Sequence, residues 1–125
     1  MKHRKENFIT SRINGAKYSV KGAVILLKTE ASIQAQFSIA VLVTCAGFYF
    51  NISSTEWMFQ ILAIGGVMSI EGLNTAIEEI ADFIHPDYHH KIGLIKDVAA
   101  GAVFIAAFAG AIIGLIIYIP KILAL

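Results

Sequence analysis

The feature of this sequence that most constrains its fold is a set of three long apolar segments, at about residues 33–50, 57–80 and 98–119. Each is close to the roughly 17–25 residues that a membrane-spanning helix requires. The chain is 57% hydrophobic with a mean hydropathy of +0.70, which is too apolar for a soluble domain of 125 residues. The sequence therefore predicts an all-α integral membrane protein with three transmembrane helices, in a single domain over residues 1–125.

Polar connections separate these segments. In the first connection, Ser53-x-x-Glu56 matches a capping box, in which two side chains satisfy backbone N–H groups at the start of a helix. After the second segment comes Pro86, which cannot continue a helix, so residues 85–97 are predicted to form a polar connection. These signals set both ends of the second helix.

A weaker pattern precedes the first segment, over about residues 7–30. Apolar residues recur there at helical spacing between four basic ones, Arg12, Lys17, Lys21 and Lys28. A basic amphipathic helix of this kind lies along an anionic membrane surface. A cytosolic helix packed on the bundle is a compatible alternative.

The distribution of basic residues predicts the topology. Seven of the ten Lys and Arg lie within residues 1–28, the turn at 51–56 has none, and the 85–97 connection has two. Because cytoplasmic connections carry the excess of Lys and Arg, the N-terminus and the second connection are predicted to be cytoplasmic. The basic excess is local and comes with no recognition motif, so nucleic acid is not a predicted partner.

Near its end, the second segment turns polar on one side only. At about 100° per residue its polar side chains fall within a sector of roughly 100°, whereas Leu73, Ile77 and Ile80 point the other way. This polar stripe consists of Glu71, Asn74, Thr75, Glu78 and Asp82. Ionisable groups on a membrane helix are costly unless they face protein, water or a cation, so the stripe is a candidate functional site.

With this topology, three polar clusters meet at one cytoplasmic interface: Glu30 before the first span, the polar stripe, and Lys96-Asp97 before the third span. Mg²⁺ prefers carboxylate oxygens and shares them with substrate phosphates, so Glu30 and Glu78 with a nucleotide would satisfy it. Glu71 lies two helical turns before Glu78, and hence deeper in the bilayer, where it could take the proton from a lipid hydroxyl. Lys96 could neutralise phosphate charge, with Asp97 orienting it. Together, metal ligands, a base and a positive charge are the groups that phosphoryl transfer requires.

Two other interpretations of the same acids remain open. The carboxylates could line a cation or proton pathway, or they could form a buried hydrogen-bond network that only holds helices together. Transport requires access from both sides of the membrane. The acids cluster at one face, and neither the first nor the third span carries a charge at mid-depth. A small transporter and a kinase therefore differ in where the charges should lie.

Other patterns favour structural interpretations. His85-x-x-x-His89 could indicate a zinc site, but Pro86 breaks the helix that would align the two histidines, so a solvated loop is favoured. Tyr18 and Tyr88 fit either interface anchors or adenine-stacking residues, and the sequence does not choose between them. Small residues that permit close helix contact recur every four positions in the third segment: Ala102, Ala106, Gly110 and Gly114.

Three stretches carry a resemblance to a known family: Glu71-Gly-Leu-Asn-Thr-Ala-Ile-Glu78-Glu-Ile-Ala-Asp82, Asp87-Tyr-His89, and Lys96-Asp97-Val-Ala-Ala-Gly-Ala. The chain resembles the prokaryotic diacylglycerol kinases, a family that includes the undecaprenol kinases. The resemblance extends over nearly the whole length, including Tyr18-Ser-Val-Lys-Gly22 and Glu30. Ser32 and Gln34 depart from the pattern, since the family often has an asparagine and a basic residue at these two positions.

This resemblance implies a homotrimeric inner-membrane enzyme that transfers phosphate from MgATP to the hydroxyl of diacylglycerol or undecaprenol, with active sites shared between neighbouring subunits. By position, Glu71 corresponds to the general base and Asn74 to the asparagine near the lipid hydroxyl. Glu30 and Glu78 correspond to the ligands of Mg²⁺–ATP. The other nucleotide contacts that the resemblance implies are Tyr18, Asp87, Tyr88, His89, Lys96 and Asp97. The preferred lipid is not indicated, because the lipid tail meets generic apolar surface.

Overall fold

A computed structural model describes residues 7–125, which form four α-helices. They are α1 (Phe8–Thr29), α2 (Ala31–Tyr49), α3 (Ser54–Ile84) and α4 (His90–Leu123). The helices α2, α3 and α4 are long and apolar enough to cross a membrane, which confirms an all-α fold with three candidate spans. Residues 1–6, which hold three of the N-terminal basic residues used to predict the topology, lie outside the described part of the chain.

The predicted capping box fixes the start of α3. The Ser53 hydroxyl accepts a hydrogen bond from the Glu56 N–H at 3.2 Å, and the Ser53 N–H donates to Glu56 Oε1 at 3.0 Å. Asn51, in the turn between α2 and α3, has a left-handed φ of 51°, which asparagine tolerates better than most residues. At its other end α3 stops at Ile84, just before the predicted break at Pro86.

The start of α4 differs from the prediction. The sequence predicts a polar connection over residues 85–97, but α4 already begins at His90. Nδ1 of His89 accepts a hydrogen bond from the Lys91 N–H at 3.1 Å and so caps the first turn. Hydropathy marks the part of a helix that fits the hydrocarbon layer, whereas capping determines where the helix begins. Lys96 therefore lies on a continuous helix of 34 residues, not on a loop.

Small residues bring the helices close together. A Cβ atom added to Gly110 of α4 would lie 3.5 Å from Val67 Cγ2 of α3, in ordinary van der Waals contact. One added to Gly72 of α3 would lie 2.9 Å from Leu26 Cδ1, so the end of α1 packs directly on α3. Within the predicted small-residue face, Gly110 thus packs inside the chain, whereas a Cβ on Gly114 would meet open space.

Burial on α3 is inverted relative to a helix of a soluble protein. Glu71 and Asn74 are each 8% exposed, while Leu73 is 64% and Ile80 is 58% exposed. This confirms the predicted division of α3 into a polar face and an apolar face. The polar face turns toward other helices of the same chain, as expected when the outer face meets lipid or another subunit.

Gly47, near the end of α2, is expected to tolerate substitution poorly. An added Cβ would lie 2.6 Å from Cη2 of the Trp57 ring and 3.1 Å from Ile52 Cδ1. A rigid indole cannot yield as a flexible side chain can, so Gly47→Ala should lower the free energy of unfolding in detergent by about 1–3 kcal/mol. Gly66→Ala is the control, because nothing lies within 4 Å of its added Cβ. Equal thermal unfolding midpoints for the two variants would contradict this packing.

Candidate functional site

Carboxylates from two separate parts of the chain line one polar cavity of about 280 Å³. Glu30 comes from the corner between α1 and α2, and Glu71 and Glu78 come from α3. The other lining residues are Ser32, Asn74, Thr75, Ala100 and Val103. The structure thus brings together the three glutamates to which the sequence analysis assigned metal binding and proton transfer, and α4 adds an apolar wall.

The corner between α1 and α2 positions Glu30. This residue ends α1 and precedes α2 with an extended backbone, at φ −102° and ψ 113°. Nε2 of Gln34 reaches back across the corner and donates to the Leu27 carbonyl at 3.1 Å and to the Lys28 carbonyl at 3.2 Å. These carbonyls belong to the last turn of α1, where no helical partner is available. Gln34, noted in the sequence only as a departure from the family pattern, therefore braces the corner that carries Glu30.

Glu71 accepts a hydrogen bond from a residue that the sequence analysis did not single out. Nε2 of Gln36, on α2, donates to Glu71 Oε2 at 3.1 Å. The Thr75 hydroxyl donates to the main-chain carbonyl of Glu71 at 3.2 Å and so bonds within its own helix. No sequence spacing could have indicated Gln36, because the contact joins two helices and depends on how each is rotated about its axis.

One turn beyond Glu71 on α3, Asn74 makes a hydrogen bond to Glu78. Its Nδ2 donates to Glu78 Oε1 at 3.2 Å. Oδ1 of Asn74 is buried without a hydrogen-bond partner in the described chain, and so is Oε1 of Gln36. Buried carbonyl oxygens are normally paired. Both unpaired oxygens belong to amides whose nitrogens bond to the carboxylates of the site, that of Gln36 to Glu71 and that of Asn74 to Glu78.

Lys96 lies on the first turns of α4, before the apolar segment begins. Its Nζ donates to Asp82 Oδ1 at 2.6 Å. Asp97 is exposed and forms no ion pair within residues 7–125. The carboxylate that orients Lys96 is thus Asp82, and the prediction that Asp97 orients it is wrong.

The other predicted nucleotide contacts lie outside the polar cavity. Tyr18, on α1, is 72% exposed, and Tyr88, between α3 and α4, is 88% exposed. Asp87 and His89 are also exposed in that connection. A single chain therefore gathers the three glutamates but leaves these four residues on its surface.

The carboxylates of the polar cavity suit a metal ion that is bound by the protein and by a second ligand at the same time. Among the residues that the structure describes, no group of three or more His, Cys, Asp or Glu side chains is arranged to hold a metal ion by itself. Mg²⁺ is commonly bound by one or two carboxylates together with substrate phosphates, and Glu30 and Glu78 offer two carboxylates to one cavity. The two histidines that the sequence analysis considered as a zinc pair, His85 and His89, lie exposed in the α3–α4 connection. Their ring centroids are 5.6 Å apart.

The chain is similar to proteins of known activity. A family model described as prokaryotic diacylglycerol kinase matches residues 17–118, a range that contains all the residues lining the polar cavity. The undecaprenol kinase of Bacillus subtilis is 44% identical over 94 residues, which cover 75% of this chain and 76% of that protein. The diacylglycerol kinase of Haemophilus influenzae is 31% identical over 98 residues, covering 78% of this chain and 83% of that protein. That of Escherichia coli K12 is 30% identical over 103 residues, covering 82% and 84%.

Proposed function

This chain belongs to the prokaryotic diacylglycerol kinase family and is a membrane lipid kinase, and we propose that it transfers the γ-phosphoryl group of ATP, with Mg²⁺, to the hydroxyl of a membrane lipid. The observation that carries this proposal is the polar cavity in which Glu30, Glu71 and Glu78 meet. It lies among helices that are long and apolar enough to cross a bilayer. A water-soluble triphosphate and a membrane alcohol could therefore approach the same carboxylates.

In the proposed mechanism Glu71 is the general base. Its carboxylate takes the proton of the lipid hydroxyl as the lipid oxygen attacks the γ-phosphorus and ADP departs with the electrons of the broken P–O bond. Asn74 lies beside Glu71 on the same face of α3 and holds the head of the lipid. Lys96, held by Asp82, supplies positive charge for the phosphates.

Glu30 and Glu78 are the residues that would hold Mg²⁺. When bound there, the ion would neutralise charge on the transferring phosphate. The bond from Asn74 occupies Oε1 of Glu78 and leaves Oε2 without a hydrogen bond in the described chain, so this carboxylate is oriented but not saturated. The corner that Gln34 braces holds Glu30 on the other side of the same cavity.

We further propose a homotrimer in the bacterial inner membrane, with its active sites at the cytoplasmic face. Support comes from the family resemblance and from the exposure of predicted nucleotide contacts that a neighbouring subunit could bring to the cavity. These residues are Tyr18, Asp87, Tyr88, His89 and Asp97. The helix α1 is proposed to lie along the membrane surface, because Phe8 and Ile9 are 78% and 68% exposed on a helix that also carries basic residues.

The alternative of an ion or proton pathway has less support from the geometry. Beyond Gln36, an apolar groove of about 310 Å³ runs between α2, α3 and α4. Its other polar lining residues are Gln60 and Tyr118, which bond to each other and to the Val43 carbonyl. Groups that exchange protons near neutral pH therefore do not continue from the polar cavity along this groove.

The lipid alcohol is expected to be undecaprenol, because the relative with the higher identity is named as an undecaprenol kinase. The test presents undecaprenol and diacylglycerol separately in mixed micelles with radiolabelled ATP and Mg²⁺. Transfer to undecaprenol should be the faster of the two. Transfer to diacylglycerol alone would correct the lipid, and transfer to neither lipid would contradict the kinase proposal.

A further inference from the structure

We infer that Gln36 is a positioning residue that holds Glu71 in the orientation required to receive the proton of the lipid. The inference rests on the proposed role of Glu71 as general base. The residues that the family resemblance implies for the site do not include Gln36. Within the described chain its side chain makes one hydrogen bond, and that bond is to Glu71.

The chemistry of the two groups fixes the direction of this bond. An ionised carboxylate offers only acceptors, so the Gln36 atom that meets it must be the amide nitrogen. Nε2 lies 3.1 Å from Glu71 Oε2, which leaves Oε1 of Gln36 as the buried, unpartnered oxygen. The amide is therefore committed to Glu71 and is not shared with another group of the described chain.

Glu71 is thereby tethered through one carboxylate oxygen. Oε2 accepts from Gln36, and Oε1 makes no hydrogen bond within residues 7–125. A carboxylate fixed through one oxygen presents the other in a defined direction, and this alignment lowers the barrier to proton transfer. As the lipid O–H bond breaks, its proton passes to Oε1, the lipid oxygen bonds to the γ-phosphorus and ADP leaves. The bond from Gln36 remains intact throughout.

The location of Gln36 strengthens this tether. Its side chain lines the apolar groove together with Val67 and Gly110, while Glu71 lines the polar cavity. The bond between Gln36 and Glu71 is partly buried. Away from bulk water, a hydrogen bond to a charged acceptor is stronger than a bond between neutral groups. Gln36 therefore bonds to the proposed base at the boundary between the apolar groove and the polar cavity.

Gln36→Leu is the principal test, because it removes the amide with little change in side-chain size. The expected result is a fall in kcat of about 10- to 100-fold, since the untethered Glu71 samples unproductive orientations. The KM values for ATP and lipid should stay within about twofold of the wild-type values, because neither substrate loses a binding contact. Gln36→Asn keeps an amide but is one methylene too short to reach Glu71, and it should show the same fall in kcat.

Gln60→Leu is the matched control. Gln60 is another glutamine that lines the apolar groove, but its Nε2 donates to the Val43 carbonyl at 3.2 Å, away from the proposed base. This variant should lose stability and keep the wild-type kcat per folded molecule. Such a result, with reduced kcat in the Gln36 variants that fold, would support the inference.

Two outcomes would overturn the inference: a wild-type kcat in Gln36→Asn, or a raised KM with kcat retained in either Gln36 variant. Because Gln36→Asn adds no apolar group, it keeps the test decisive even if Gln36→Leu fails to fold. A wild-type protein that phosphorylates no lipid would instead overturn the proposed function, so the two failures are distinguishable.

Discussion

Replacing Glu71 by Gln is expected to lower kcat by about 10²–10⁴-fold, the range that general acid–base catalysis contributes. The glutamine amide has nearly the size of the carboxylate, and its oxygen can still accept the bond from Gln36, but it cannot take a proton from the lipid hydroxyl. Phosphate transfer from radiolabelled ATP to undecaprenol in micelles measures kcat. Binding of a non-hydrolysable ATP analogue should be unchanged.

Glu79→Gln is the control for the loss of one negative charge from α3. Glu79 lies on the same helix, is exposed and does not line the polar cavity. Its variant should keep kcat within about twofold of the wild-type value. If Glu71→Gln were fully active, or if both variants lost activity equally, Glu71 could not be the base.

The parts of the site that helical periodicity determines could be predicted from the sequence. Glu71 and Asn74 are three residues apart and therefore share a face of α3, while Leu73 points away; their burial and exposure follow that pattern. The break at Pro86 was equally predictable, because a proline ring and its missing N–H act locally. Such features need only the residues of one helix.

Contacts between helices could not be predicted in this way. The bond from Gln36 to Glu71 and the ion pair between Lys96 and Asp82 depend on how α2 and α4 are rotated against α3. Asp97 is adjacent to Lys96 in sequence, but adjacent residues on a helix point about 100° apart, so Asp82 on α3 is the nearer partner. Sequence spacing describes one helix at a time, and the site is built between helices.

Neutralising either proposed metal ligand is expected to have the second large effect. Glu30→Gln and Glu78→Gln should each lower kcat/KM for MgATP by about 10²-fold and raise the Mg²⁺ concentration needed for half-maximal activity, since a bound cation is worth several kcal/mol of charge stabilisation. Glutamine at position 78 can still accept the bond from Asn74. The Glu30 side chain makes no hydrogen bond in the described chain, so neither change should disturb the fold.

Glu56→Gln separates metal binding from a general effect of charge. Glu56 lies at the opposite end of α3, where it caps the helix and pairs with Lys121 at 2.7 Å. A weaker attraction of Mg²⁺ by the whole protein would shift the Mg²⁺ titration in all three variants, whereas a cation bound between Glu30 and Glu78 shifts only those two. The measurement is activity against Mg²⁺ concentration at fixed ATP. Titrations of the Glu30 and Glu78 variants that superimpose on the wild-type curve would show that these carboxylates do not bind the metal.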